Sequence, residues 1–130
     1  MNVGFATQDA LMFFDRQPAA FPLYEAFATK LLDRFPNTQI RVQKTQIAFA
    51  NRHVYACVSF QRVRNKADLS DPYLVITLGL PYALESNRVA AKTEPCPGRW
   101  TTHIVAGTVE EFDDELFAWI QQAYDFSERK

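Results

Sequence analysis

The residues best suited to chemistry lie in one short run, Pro97-Gly98-Arg99-Trp100-Thr101-Thr102-His103. There a cation, an indole and an imidazole follow a glycine turn. On an extended strand Arg99, Thr101 and His103 share one face, because side chains alternate with period two. With Lys44 or Arg41 nearby, such a face binds an anion through charge-assisted hydrogen bonds. The plainer role makes Trp100 a core plug and pairs Arg99 with an acid of the C-terminal helix. His103 beside Arg99 also raises acid–base chemistry on a carboxylate or phosphate substrate.

Other chemistries lack their parts. The four glycines, Gly4, Gly79, Gly98 and Gly107, form neither GxxxxGK nor GxGxxG, so both nucleotide cradles are excluded. His53 and His103 are the only histidines, without an HExxH pair, and no metal or cofactor is implied. Cys57 and Cys96 stand 39 positions apart and form no CxxC. Cys57 falls mid-strand, where thiols are usually inert, and no GxSxG elbow is present. A nuclease of the PD-(D/E)xK type needs an acid two residues before its lysine; Lys44 has Val42 there and Lys92 has Ala90.

Charge is unevenly spread. The 14 Lys and Arg nearly balance 15 Asp and Glu, so the chain as a whole has no basic footprint for nucleic acid. Yet residues 37–67 carry Arg41, Lys44, Arg52, Arg62, Arg64 and Lys66 and no acid. Residues 108–130 carry seven acids against Arg129 and Lys130. The acids at Asp113, Asp114 and Glu115 crowd a helix start, where they favour the dipole. The basic stretch is either a solvated rim, the complement of the acidic helix within one chain or between two, or a nucleic-acid surface at Arg41, Lys44, Arg52, Arg62 and Arg64.

These groups need a scaffold, and 130 residues with 48% apolar types suffice for one globular domain spanning 1–130. A helix is expected from an N-cap at Thr7 through Phe14, and a second from Pro18 with a stripe at Leu23, Ala26, Phe27, Leu31 and Phe35. Alternation predicts strands around Ile40–Val42, Ile47–Ala50, Val54–Phe60, Tyr73–Leu80 and Trp100–Ala106, with a tight turn at Asn51-Arg52. Residues 81–98 fit no pattern, and Pro95-Cys96-Pro97-Gly98 reads as a turn. Thr108-Val109-Glu110-Glu111 matches a capping box and predicts a long helix to about Ser127, buried through Phe112, Leu116, Trp119, Ile120 and Ala123.

Helix, helix, four or five strands, helix is an α+β arrangement. The expected form is a mainly antiparallel sheet with both N-terminal helices and the long C-terminal helix on one face. Its other face is expected to carry Tyr55, Cys57, Ser59, Tyr73, Val75 and Thr77. That face is covered by loop 81–98, covered by a second subunit, or a working surface. The start of the chain lacks the pattern of a signal peptide, and no apolar run approaches a membrane span. The expectation is a reduced, soluble, cytoplasmic protein without membrane contact.

The chain resembles a family of small bacterial domains of unknown function, some of whose members carry the label "predicted transport protein". The resemblance rests on Phe13-Phe14-Asp15, Leu23-Tyr24-Glu25, Lys44-Thr45-Gln46-Ile47-Ala48-Phe49 and Tyr55-Ala56-Cys57-Val58. It continues through Leu74-Val75-Ile76-Thr77-Leu78-Gly79-Leu80, Gly98-Arg99-Trp100-Thr101-Thr102-His103 and the stretch from Asp114-Glu115-Leu116 through Trp119-Ile120 to Ala123-Tyr124. It implies a stand-alone or appended α+β domain and no established catalytic residue.

The favoured expectation is a non-catalytic binding domain. Lys44, Tyr55, Tyr73, Arg99, Trp100 and His103 would edge a site for a protein partner or a small anionic ligand. The alternatives are nucleic-acid binding through 37–67, a small enzyme using His103 and Arg99, and a homodimer in which basic and acidic halves meet.

Overall fold

The computed structural model describes residues 8–15, 17–60 and 72–129. The chain runs through α1 (Gln8–Phe13), a 3-10 turn (Pro18–Ala20), α2 (Phe21–Arg34), and strands β1 (Gln39–Val42), β2 (Ile47–Ala50), β3 (Val54–Ser59), β4 (Leu74–Leu80), β5 (Val89–Cys96) and β6 (Arg99–Ala106). A second 3-10 turn (Val109–Glu111) leads into α3 (Asp114–Glu128). The six strands form one sheet in the order β1-β2-β3-β4-β6-β5, antiparallel at every pairing. The α+β reading holds, with one strand more than the four or five expected.

The added strand is β5, in the stretch that alternation could not assign. Its residues are half-buried from Val89 to Lys92 and exposed from Thr93 to Cys96. An edge strand with so little to bury has no apolar period to read. Residues 89–96 therefore extend the sheet instead of covering its second face, and Leu84 ahead of them packs into the helix-side core.

One sheet face is sealed by helices. The core joins Phe14, Tyr24, Phe27 and Leu31 to Ile47, Phe49, Ala56, Val58, Leu74, Ile76, Leu78 and Ile104, and on to Phe112, Leu116, Phe117 and Ile120. The α2 stripe buries as expected at Leu23, Phe27, Leu31 and Phe35, with Ala26 half-buried and Tyr24 and Ala28 buried beside it. The helix begins at Phe21 after the 3-10 turn opened by Pro18. The expected Thr7 cap lies outside the described residues.

Two departures from simple periodicity shape the molecule. The first is a β-bulge in β3. Phe49 pairs with Ala56, but Ala50 pairs with Val54, so Tyr55 is the extra residue. A bulge bends the strand and re-aims its side chain. Tyr55 is accordingly buried, with its ring edge-on to Tyr124 of α3 at 5.0 Å and near Phe35 at 5.7 Å. Its hydroxyl lies 2.7 Å from Thr38 Oγ1. Tyr55 thus leaves the face on which alternation placed it.

The second departure is at α3. The expected continuous helix from Thr108 is broken at Phe112 (φ −84°, ψ 64°). Glu111 reaches back to the Gly107 and Thr108 amides at 2.8 and 3.1 Å and closes the short turn. Asp113 then caps α3 proper by accepting from the Leu116 amide at 3.0 Å. The break lets Phe112 bury against Phe27, while Lys30 donates to the freed Phe112 carbonyl at 2.9 Å. Arg88 grips this corner through Asp113, Glu115 and the Glu111 carbonyl, with its guanidinium 5.5 Å from the Trp119 ring. The hydrogen bond from Arg88, seconded by the Leu116 amide, holds the Asp113 carboxyl below its ordinary range.

Core chemistry here is separable by substitution. Phe27 is fully buried against Phe49, Phe112 and Phe117, and Phe27→Ala should cost about 3–5 kcal/mol in urea unfolding. Thr102 is equally buried, yet its hydroxyl has no partner among the described residues. Thr102→Val should therefore change stability by less than about 1 kcal/mol or raise it.

Candidate functional site

The structure distributes the six candidate ligand residues instead of gathering them. Lys44 sits in the β1–β2 turn, and Tyr73 sits at the start of β4, at the same end of the sheet as the end of β3. Arg99 and Trp100 begin β6 at the opposite end. Leu74 pairs with Ala106 and Leu80 with Trp100. The two groups are therefore at least about 20 Å apart at ~3.4 Å per strand residue. Tyr55 has turned into the core. Trp100 is half-buried and so is no simple core plug, and Arg99 is exposed and makes no ion pair among the described residues.

The Lys44 end holds a built concavity. A groove of about 840 Å³ is lined by Met12, Phe13, Asp15 and Gln17 on one side and by Lys44, Thr45, Gln46, Ser59 and Phe60 on the other. A smaller hollow of about 360 Å³ adjoins it, between Asp9, Met12 and Phe13 of α1 and Val42, Gln43 and Lys44. Phe13 and Phe60 stack at 5.6 Å and form the apolar wall. Tyr73 braces Phe60 edge-on and donates to its carbonyl at 2.9 Å. Beside the opening, Leu11 is 52% and Met12 65% exposed, adjacent large apolar side chains on a helix of six residues. Lys44 makes no ion pair among the described residues.

Residues 12–127 match the model of a domain of unknown function, DUF5655. The chain belongs to the DUF5655 family. No curated protein and no solved structure matches it. The DUF5655 match spans both walls of the groove. No helix among the described residues is long and apolar enough to cross a membrane.

Elsewhere in this DUF5655 domain, His103 occupies a row that crosses the sheet on the face away from the helices. The row reads Arg41, Ala48, Cys57, Thr77, His103, Ala91. His103 Nδ1 lies 2.8 Å from Thr77 Oγ1. Cys57 and His103 are two strands apart, about 10 Å, so they form no thiol–imidazole pair. Burial pushes the Cys57 thiol up to about 11, which keeps it protonated. Arg99 and Thr101 share the His103 face, as expected, but Arg99 stands about 13 Å along the strand at ~3.3 Å per residue. Among the described residues, no cluster of His, Cys, Asp and Glu could hold a metal ion.

The basic stretch is spread as well. Arg41 is exposed on β1, where it reaches Gln39 at 3.4 Å, and Arg52 is exposed in the β2–β3 turn, at the far end of β2 from Lys44. That turn takes three residues, Asn51 to His53, and Asn51 donates to the Tyr124 hydroxyl and to Glu128, both at 2.7 Å. Arg62 and Arg64 lie outside the described residues. The groove's α1 wall, Met12 and Phe13, was not expected as a site; its only sequence signal was two adjacent apolar residues left over from a helical stripe.

Burial holds the His103 imidazole below its ordinary value of 6.5. As pH falls through that value the unfolded chain takes the proton first, so the folded state loses stability. The loss in urea midpoint between about pH 7.5 and about pH 5.5 should be smaller in His103→Gln than in the unsubstituted protein.

Proposed function

We propose that this chain is a non-catalytic binding domain whose site is the groove between α1 and the β1–β2 turn. The observation that carries the reading is the groove's lining: Lys44, a cation without an ion pair among the described residues, facing an aromatic wall of Phe13 and Phe60. Its volume falls in the range of pockets that hold small molecules. Gln17, Thr45 and Gln46 add hydrogen-bonding groups, and Asp15 repels a second anionic group on that side. The ligand class is a molecule that joins one anionic group to an apolar body.

An enzyme reading has less support, because Arg99 and His103 do not converge. Nucleic-acid binding draws on the exposure of Arg41, Lys44 and Arg52, but these point to no single track. It would be marked by oligonucleotide affinity that falls steeply with salt.

A fragment screen by amide NMR tests the groove. Carboxylates with an aromatic or alkyl body should shift Met12, Phe13, Lys44 and Phe60. Lys44→Met should weaken them about tenfold, the scale of one hydrogen bond to a charged group. Fragments that cluster at Arg99 and His103, or that ignore the Lys44 substitution, would contradict the assignment.

A further inference from the structure

Beside the groove, the smaller hollow reaches a free strand edge at Val42. β1 ends the sheet, and the described structure pairs no further strand with it. The phase of its ladder is fixed at the turn, where the Gln43 amide donates to the Gln46 carbonyl at 2.8 Å. Hydrogen-bonded and non-hydrogen-bonded pairs alternate along an antiparallel ladder. Pairing continues without a shift through Val42↔Ile47, Arg41↔Ala48, Ile40↔Phe49 and Gln39↔Ala50. Arg41 and Gln39 therefore direct their amides and carbonyls at β2. Ile40 and Val42 direct theirs outward, away from β2, and Val42 also lines the smaller hollow.

The two sheet edges are treated differently. β5 carries Lys92, Glu94 and Pro95 and two register shifts, the devices that keep an edge from pairing. β1 has no proline and no bulge, and its one charge, Arg41, points to the face away from the helices.

We propose that β1 accepts an extended peptide of a partner protein as a seventh strand along its free edge. The proposal rests on the groove being the binding site and names its partner. Strand alternation dictates the peptide's pattern. Residues on the helix side would meet Met12, Phe13 and Val42 and must be apolar. Residues on the other side would stand beside Arg41 and Gln39, with Lys44 at the end of the strand, and must be acidic. Neither Arg41 nor Lys44 makes an ion pair among the described residues, so both charges are available to such a partner. Ile40 and Val42 each supply a donor and an acceptor, and this makes recognition depend on the peptide's backbone as well as its side chains.

The probe is a fluorescein-labelled Leu-Glu-Val-Glu-Leu-Glu peptide, read by anisotropy and amide NMR. Two further versions carry N-methyl groups on alternate amides, one in each register. The parent should bind and shift Ile40 and Val42. One methylated version should bind as the parent does, and the other should lose at least about tenfold. Val42→Pro deletes an outward amide and should lose about as much, while 4-phenylbutyrate still shifts Lys44 and Phe13 in that variant. Equal binding of both methylated versions would overturn strand pairing. So would absence of peptide binding where 4-phenylbutyrate still occupies the groove, which leaves the binding-domain reading standing. Silence of both probes would overturn the two together.

Discussion

A continuous run of aromatic rings holds this molecule together. Tyr73 packs on Phe60, Phe60 on Phe13 and Phe14, and Phe14 on Tyr24. Tyr24 leads to Phe49, Phe49 to Phe27, and Phe27 to Phe112 and Phe117 at the start of α3. The run crosses from the end of the sheet, under the helices, to the far helix. Rings packed edge-on or offset contribute beyond their buried area, so the run both stabilises and orients. A second cluster, Phe35 stacked on Tyr124 at 4.7 Å with Tyr55 against both, fixes the other end of α3.

The groove is the place where this run reaches the surface. Phe13 and Phe60 belong to it, and their outer faces become the apolar wall beside Lys44. A rigid wall positioned by the core is what a binding site needs, because its shape is set before any ligand arrives. The same helix that supplies Met12 and Phe13 packs against β1. Chemistry and shape thus meet at one end of the sheet, while the end bearing Arg99 and Trp100 gathers charge and an indole around an open hairpin with Gly98 at φ 74°.

The fold was legible where apolar residues repeat. The α2 and α3 stripes and the alternation in β2, β3 and β4 announce the helix-side core, although Ala48, Cys57 and Val75 on the other sheet face are buried as well. β5 was hidden because an exposed edge strand buries too little to leave a period. The bulge at Tyr55 was hidden because one extra residue inverts a face without altering composition. The cap at Asp113 was masked by the stronger capping box five residues earlier. Lys44 was legible as a candidate because it is one of the cations of an acid-free segment. Its partners Met12, Phe13 and Phe60 look like core in sequence, and only tertiary packing leaves part of each uncovered.

The account stands or falls on β1 being an open edge. Amide hydrogen exchange of the free protein by NMR addresses that directly. The Arg41 and Gln43 amides, bonded into the β2 ladder, should be protected, while Ile40 and Val42 exchange nearly as fast as an unfolded peptide. Protection of Ile40 and Val42 equal to that of Arg41 would mean the edge is already paired, and would contradict the account.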